Sequence, residues 1–260
     1  MLQPNTLTDW TTSAWRDEAL AWIDASLARL SRRRAGPVEQ PHVRPWSTVI
    51  SVPTDAGTVY FKAVGCMAAH EVALTVALAR WRPDVMPPVL AANEARGWLL
   101  MPDGGPRLRE IIRADRDLGH WERLLPLYAE AQMDLADRVT DLLSLGTPDR
   151  RLDRLPALYA ALLADEGALR VGQEPGLTTG EYARLQADVP RFAALCEELA
   201  GHGIPASLHH GDFHDGNIFT RDGAYLFFDW GDSVVSHPFF SLRTVSVSLE
   251  MSLDLPENAP

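Results

Sequence analysis

The sequence predicts an α+β fold, with a small antiparallel sheet in the first part of the chain and mainly helices in the second. Residues 38–64 contain two β-prone runs around the turn-forming stretch 53–57, which is the pattern of an antiparallel hairpin. From residue 118 onward, apolar residues recur every three or four positions, as they do in amphipathic helices. A length of 260 residues and a 46% hydrophobic composition are sufficient for two lobes with a substantial core.

A leading helix is expected over residues 10–31, because apolar residues recur there at helical spacing. The arginines of the stretch 31–34 come at its end. Three basic residues at a helix terminus are interpreted as complementing the helix dipole, and not as a nucleic-acid site.

The predicted hairpin carries the only lysine of the chain. Its strands, at residues 47–52 and 58–63, would place Thr48 opposite Lys62 if they pair from their inner ends. A lysine within such an apolar strand is unusual, and an exposed position is its ordinary explanation. The next segment gives a reason to prefer a buried position.

A helix is predicted over residues 67–80, directly after the lysine strand. Glu71, Leu74 and Leu78 fall on one face of this helix, because they are three and seven positions apart. The face that buries the leucines therefore directs Glu71 towards the sheet. We expect Glu71 to form an ion pair with Lys62.

Two further strands, at residues 89–92 and 97–101, are followed by the clearest linker in the sequence. Residues 102–106 read Pro-Asp-Gly-Gly-Pro, a run of turn formers after an apolar strand. The sequence therefore predicts a first lobe at residues 1–102 and a second lobe at residues 103–260.

The second part of the chain contains three predicted helices. The first, at residues 118–139, contains Pro126, which is expected to kink or split it. The second spans residues 155–163. The third spans residues 178–199 and opens with capping-box spacing at Thr178. Their leucine and aromatic stripes are interpreted as core.

The segment at residues 209–232 is the most informative about function. Asp212 follows directly on His210 and Gly211, Asn217 comes five positions later, and Asp229 comes twelve positions after that. Taken singly, an Asp or Asn before a strand is usually a turn former. Three such groups that meet beside apolar strands are costly to bury without a cation or ligand. We therefore predict a functional site here.

A second hairpin explains how these residues meet. Residues 218–220 and 225–228 are β-prone runs around the Asp-Gly turn signal at 222–223. This hairpin would place Ile218 near Phe228, and therefore Asn217 near Asp229 at its open end. Carboxylate and amide oxygens are ligands that Mg²⁺ accepts, and a carboxylate beside them suits transfer of phosphate to a hydroxyl.

These residues resemble the catalytic segment of the aminoglycoside phosphotransferase family, which are small-molecule kinases with a two-lobed, protein-kinase-like fold. His210-Gly211-Asp212 and Asn217 match the family's loop, and Asp229 stands where protein kinases begin their Asp-Phe-Gly motif. The resemblance implies that Asp212 orients and deprotonates the substrate hydroxyl, and that Asn217 and Asp229 bind Mg²⁺. It further implies that a nucleoside triphosphate, ATP in most such kinases, is the phosphate donor, and the choice between ATP and GTP stays open.

The same resemblance assigns the remaining nucleotide contacts. It implies that Lys62, paired with Glu71, lies against the phosphates, and that backbone groups near Met101 and Asp103 bind adenine. The family's glycine-rich phosphate loop is missing, so hydroxyl and amide donors are expected from Ser47 and Thr48. The family normally continues with further helices after the point where this sequence ends in the polar residues 256–260, so either a shortened chain or an unusually open acceptor site is expected.

Composition excludes several other classes of protein. The net charge is −11 and the isoelectric point is about 5.1, which argues against nucleic acid or an anionic membrane as a partner. Cys66 and Cys196 have no metal-ligand spacing, and two buried, reduced thiols are expected. The chain shows no secretion signal and no run of 18 apolar residues, so we expect a cytoplasmic protein. Its oligomeric state stays open.

The acceptor also stays open: it would be an aminoglycoside, another antibiotic, an amino alcohol such as choline or homoserine, or a sugar. A cationic acceptor would suit the three acidic residues Asp215, Asp232 and Glu250. Two other functions remain. One is a metal-dependent hydrolase with the ligands His209, His210, Asp212 and His214. The other is a nucleotide-binding protein without catalysis, a pseudokinase.

Overall fold

The structure is a computed structural model that describes residues 8–253. Residues 256–260, for which a polar end was expected, lie outside the described part of the chain. The first part contains a five-stranded sheet of order β1-β2-β3-β5-β4, in which every neighbouring pair is antiparallel. Its strands are β1 (Glu39–Arg44), β2 (Ser47–Thr54), β3 (Gly57–Val64), β4 (Ala91–Asn93) and β5 (Trp98–Pro102). The predicted α+β class is confirmed.

The turn between β2 and β3 is tighter than predicted, and this corrects the register by one residue. Thr54 pairs with Gly57, so only two residues lie in the turn. The Thr54 hydroxyl closes it by donating to the carbonyl of Gly57 at 2.5 Å, and Gly57 has a φ of 99°. Lys62 is therefore opposite Val49, and Thr48 is opposite Ala63. The prediction that Thr48 lies opposite Lys62 is wrong.

Helix α1 (Ser13–Arg29) covers one face of the sheet. Ala19, Ile23 and Leu27 are fully buried in this contact. Phe61 of β3 lies in an aromatic cluster, with its ring centroid 5.7 Å from that of Trp22 and 5.5 Å from that of Trp98. Tilted and edge-on ring pairs at these distances are favourable. The leading helix thus forms part of the sheet's own core.

Helix α2 (His70–Trp81) packs on the other face of the sheet from α1, where Val72 lies in a cluster with Val64 of β3 and Leu99 of β5. Glu71, Leu74 and Leu78 are all buried, as the predicted helix face requires. The segment before α2 is a short 3₁₀ helix that leaves Cys66 exposed, which corrects the expectation of two buried thiols. Cys196 is buried as expected.

The second part of the chain is mainly helical, and within residues 8–253 no helix is long and apolar enough to span a membrane. The third predicted helix has its capping box at Thr178 but divides at Asp188, where Pro190 suits the first turn of a new helix. The first predicted helix runs through Pro126 without a break and ends at Ala136. The helices are α3 (Leu108–Asp115), α4 (Gly119–Ala136), α5 (Val139–Ser144), α6 (Leu155–Leu163), α7 (Glu166–Leu169), α8 (Thr179–Ala187), α9 (Val189–Gly201) and α10 (Ser241–Leu253).

Two small antiparallel pairs lie among these helices: β6 (Ser207–His209) with β9 (Val234–Ser236), and β7 (Ile218–Arg221) with β8 (Ala224–Phe227). In the second pair, Asp222 and Gly223 alone form the turn, with φ values of 51° and 81°. Ile218 is therefore opposite Phe227, whereas Phe228 was predicted. The amide of Phe228 still donates to the carbonyl of Asn217 at 3.1 Å, so Asn217 and Asp229 come together at the open end.

We expect Phe61→Ala to lower the free energy of unfolding by about 3–5 kcal/mol, because it empties the fully buried centre of the aromatic cluster. Phe239 is 57% exposed, so Phe239→Ala is the matched control and should change stability by less than about 1 kcal/mol. Urea unfolding followed by circular dichroism measures both. Equal losses in the two variants would contradict the placement of this core.

Candidate active site

The loop that joins β6 to β7 brings Asp212 and Asn217 into contact. The side-chain amide of Asn217 donates to the Asp212 carbonyl at 3.0 Å and to Asp212 Oδ2 at 3.1 Å. The amide nitrogen of Asn217 is therefore turned towards Asp212, and its oxygen is turned away. This geometry fixes both side chains on one side of the loop.

Two residues before Asp212 determine the shape of this loop. Gly211 has a φ of 82°, and a Cβ atom there would lie 2.1 Å from the carbonyl oxygen of Asp232, so no other residue fits. His210 is fully buried. Its Nε2 bonds to the carbonyl of Phe228 at 3.0 Å, and its Nδ1 accepts from the amide of Asp212 at 3.4 Å. The imidazole thus ties the loop to the residue before Asp229.

Lys62 joins the sheet to this loop region. Its ammonium contacts Glu71 Oε1 of α2 and lies 2.5 Å from Asp229 Oδ1. The Lys62 side chain is 12% exposed and that of Glu71 is 3% exposed, so the charge is nearly withdrawn from water. The predicted ion pair between Lys62 and Glu71 is therefore present, and Asp229 is a second partner.

The three charges determine one another's protonation. Burial disfavours the ammonium of Lys62, but the carboxylates of Glu71 and Asp229 outweigh burial and raise its pKa. Burial raises the pKa of Glu71, and Lys62 only partly offsets this. Burial also acts to raise the pKa of Asp229, yet Lys62 overcomes it and the pKa falls. Lys62 therefore outweighs burial at Asp229, whereas burial outweighs Lys62 at Glu71.

The backbone at Asp229 is in the left-handed region, with a φ of 67° and a ψ of 62°. Asp tolerates this conformation better than most residues, and the contact with Lys62 restrains its side chain. Two residues later, a Cβ atom on Gly231 would lie 2.9 Å from Glu71 Oε2. The small residue at this position therefore lets the turn approach the buried glutamate.

Asp212 is only half-buried and has a second neighbour, His214. Nε2 of His214 lies 3.2 Å from Asp212 Oδ2. Hydrogen bonding from His214 is the main reason that the pKa of Asp212 is lowered, and Asn217 adds to it. Among the described residues no group donates to Oδ1 of Asp212. This oxygen is free to accept a hydrogen bond from a hydroxyl.

The residues present suit a magnesium ion. Asn217 Oδ1 and Asp229 Oδ2 accept no hydrogen bond from any described residue, and the two residues adjoin at the end of the β7–β8 pair. Both are hard oxygen ligands, and Mg²⁺ commonly takes only one or two such ligands together with water and phosphate oxygens. Within residues 8–253 no group of three or more His, Cys, Asp or Glu side chains is arranged to hold a metal ion.

A cavity of about 730 Å³ opens beside Lys62 and Asp229, between the sheet and the helical part. Ser47, Met101 and Asp103, which were predicted to contact the nucleotide, are among the residues that line it. The main chain of Asp103 already forms two hydrogen bonds. Its amide donates to the carbonyl of Thr58, and its carbonyl accepts from the guanidinium of Arg221.

Thr48 does not line the cavity. Because the strand register differs from the predicted one by a residue, its side chain points to the opposite face of β2, where it is fully buried. Its hydroxyl donates to the carbonyl of His42 at 2.7 Å. This position corrects the prediction of Thr48 as a nucleotide contact.

Asp215 is also placed differently from its expected position at the acceptor. It is fully buried, accepts from Arg109 Nε at 2.7 Å, and accepts from the hydroxyl of Ser252 on α10. A Cβ atom on the adjacent Gly216 would lie 2.9 Å from Arg109 Cζ. Asp215 thus anchors the loop between Asp212 and Asn217. Nothing in the sequence signalled this role, because α3 and α10 were not predicted.

The alternative of a hydrolytic metal centre is not supported. His209 Nδ1 lies 2.8 Å from the hydroxyl of Ser241, and both ring nitrogens of His210 are engaged by the backbone. The imidazoles therefore do not converge with Asp212 and His214 on a common point. The four residues are close in sequence, and this had suggested a metal site. In the structure their side chains point in different directions, so they do not form one.

The half-buried His209 and the buried His210 predict how stability depends on pH. Burial lowers the pKa of His209 and of His210 to about 4, below the value of about 6.5 in an unfolded chain. The unfolded state therefore binds more protons between these values, and stability falls as pH falls from about 6.5 to 4.

His210→Gln should reduce the slope of unfolding free energy against pH by about 1.4 kcal/mol per pH unit between pH 6 and 4.5. Urea titrations at several pH values measure the slope. His202→Gln, at an exposed histidine, is the control and should leave it unchanged. A parental slope in the His210 variant would show that this imidazole is not held neutral.

Comparison with known proteins identifies the family of the chain. The model of the APH phosphotransferase enzyme family matches residues 68–242, more than half of the chain. The matched region begins before Glu71 and includes Asp212, Asn217 and Asp229. No curated protein sequence matches the chain significantly.

Solved structures share the fold. A choline/ethanolamine kinase family protein from Mesorhizobium loti superposes with a TM-score of 0.55 at 20% identity, covering 92% of this chain and 72% of that one. A choline kinase from Streptococcus pneumoniae gives 0.56 at 13%, covering 93% and 81%. A macrolide 2′-phosphotransferase from Brachybacterium faecium gives 0.54 at 16%, covering 92% and 84%. The chain belongs to the APH phosphotransferase enzyme family, which are small-molecule kinases with a protein-kinase-like fold.

Proposed function

We propose that this protein transfers the γ-phosphoryl group of ATP to a hydroxyl group of a small molecule. The observation that carries the proposal is the meeting of Lys62 and Asp229 at one end of a large cavity, with Asp212 and Asn217 one short loop away. Phosphoryl transfer depends mainly on positioning and on electrostatic stabilisation, and these residues supply both.

Asp212 acts on the acceptor. Its Oδ2 is occupied by Asn217 and approached by His214, so Oδ1 accepts the hydrogen bond of the substrate hydroxyl. As the hydroxyl oxygen bonds to the γ-phosphorus, the bond to the β,γ-bridging oxygen breaks and ADP leaves. The hydroxyl proton passes to Asp212, whose lowered pKa makes it above all an orienting group that takes the proton late.

Lys62 acts on the nucleotide phosphates. Glu71 restrains its ammonium from one side, so the charge stays aimed into the cavity when Asp229 turns to other ligands. Asn217 and Asp229 would hold Mg²⁺ through the oxygens that accept no hydrogen bond from the described residues. A magnesium ion held there would supply positive charge against the nucleotide phosphates.

We propose two lobes. Residues 1–102 would bind the nucleotide, and residues 103–260 would carry the loop with Asp212 and Asn217. The linker between them, with Met101 and Asp103, borders the cavity and would receive adenine. Ser47 on β2 faces the same cavity and would contact phosphate. The protein would work in the cytoplasm, with a small molecule as its partner and without nucleic acid or membrane.

For the acceptor, we propose a small molecule with a positive charge. Asp232 is a carboxylate beside the site that water still reaches, and its partial desolvation together with the negative charges of Asp212 and Asp229 raises its pKa. A cationic group there would relieve the repulsion. The similar structures include a choline kinase and an aminoglycoside phosphotransferase in complex with ADP and hygromycin B. Amino alcohols and amine-bearing antibiotics are therefore the first acceptors to test, and a role in resistance would follow from the latter.

Asp212→Asn should lower ATP consumption by about 10²–10⁴-fold, because it removes the acceptor of the hydroxyl proton and keeps the shape of the residue. The assay follows ADP release over a panel of amino alcohols, sugars and antibiotics. Asp222→Asn, in the exposed turn of the β7–β8 pair, is the control and should retain parental activity. An Asp212 variant as fast as the parent would remove this residue from the mechanism, and Mg·ATP binding without turnover in the parent would indicate a pseudokinase.

Lys62→Ala should lower turnover by about 10²–10³-fold and weaken nucleotide binding much less, because its charge acts mainly on the transition state. Glu71→Gln should give a smaller loss in the same direction, since Asp229 still pairs with the ammonium. Steady-state kinetics and nucleotide titration separate the two effects. Exposed Glu122→Gln is the control for the glutamate. Unchanged turnover in the lysine variant would exclude Lys62 from the site.

A further inference from the structure

The roof of the nucleotide cavity offers no backbone cradle for phosphates. Arg44 pairs with Ser47, so β1 and β2 are joined by a two-residue turn, and one of its residues, Pro45, has no amide hydrogen. The other, Trp46, uses its carbonyl to accept from the amide of Gly65 at 2.7 Å. A turn that is this short and bound to the sheet cannot wrap a phosphate in N–H groups. Side chains must provide the donors.

His42 is one such side chain on the sheet side of the cavity. It is partly buried on β1, lines the cavity, and is paired in the sheet with Val49, which lies opposite Lys62. Its Nε2 lies 3.4 Å from the hydroxyl of Ser47, another lining residue. The two groups form a donor pair facing the space beside Lys62.

Arg107 approaches from the helical side. It follows the linker, lines the same cavity, and is tied to Phe219 of β7 by a backbone bridge. Its guanidinium lies 6.0 Å from the ring centroid of Phe228, the neighbour of Asp229. Among the described residues, no carboxylate lies within ion-pair distance of it. An unpaired guanidinium beside the magnesium-binding candidates suits an anionic ligand.

The charges around His42 agree with such a ligand. Burial lowers its pKa, and the positive charges of Arg44, Lys62 and Arg107 lower it further, against the opposing effect of Asp229. A polyphosphate there would place its negative charges beside Lys62 and Arg107, which both line the cavity.

We propose that His42 and Arg107 bind the polyphosphate of the nucleotide from the sheet side and from the helical side, and so replace a glycine-rich loop. This inference rests on the proposed function, because it assumes a nucleoside triphosphate as ligand. It assigns two residues to phosphate recognition, one on each side of the cavity, in addition to Lys62. Ser47 supports His42 on the roof.

The test compares ligands that differ only in their phosphates. Calorimetric titration with Mg·ATP and with adenosine gives two dissociation constants for the parent and for each variant. His42→Ala and Arg107→Gln should each weaken Mg·ATP binding about tenfold, as expected for a lost charge-assisted hydrogen bond, and leave adenosine binding within about twofold. His42→Gln keeps an N–H donor and should recover most of the loss.

Arg44→Gln is the matched control, because it removes the same charge close to His42 from a residue that does not line the cavity. It should weaken Mg·ATP binding by no more than about twofold, the screened effect of a surface charge. Equal losses for Mg·ATP and adenosine, or parental Mg·ATP binding in the His42 and Arg107 variants, would overturn the inference. A parent that binds Mg·ATP no better than adenosine would instead overturn the proposed function.

Discussion

The buried charge of Lys62 is the constraint on which the rest of the site depends. The charge of a lysine whose side chain is only 12% exposed must be paired, and the two carboxylates that pair with it come from α2 and from the end of β8. The sheet, α2 and the end of β8 therefore meet at one atom, the Lys62 Nζ. Removing either carboxylate leaves a poorly compensated charge, so the position of α2 and that of Asp229 are linked through Lys62.

Two tight turns convert positions in the sequence into this geometry. The two-residue turn at Asp55 and Ala56 determines which side of β3 carries Lys62, and the turn at Asp222 and Gly223 brings Asn217 beside Asp229. The loop before β7 is held by His210 and by the buried Asp215, so Asp212 has little freedom. The position of Asp212 thus depends on the buried polar side chains of His210 and Asp215.

The fold class, the family and the lysine–glutamate contact could be predicted from the sequence, because they follow from periodicity and from residue types at set spacings. The strand registers could not be predicted. Each predicted hairpin register was wrong by one residue, because a side-chain hydrogen bond or a positive φ makes each turn shorter than its composition alone indicates. Thr48 was misplaced for this reason. The sequence did not indicate the structural role of Asp215 or the proposed roles of His42 and Arg107. These roles depend on contacts between elements far apart in the chain, such as α3 and α10.

The central claim is that Asn217 and Asp229 hold a magnesium ion between Lys62 and Asp212. A crystal structure with Mg²⁺ and a non-hydrolysable ATP analogue tests it most directly. We expect one ion bound by a carboxylate oxygen of Asp229 and by Asn217 Oδ1, with the γ-phosphate between Lys62 and Asp212. An ion bound elsewhere, or a triphosphate directed away from Asp212, would contradict it.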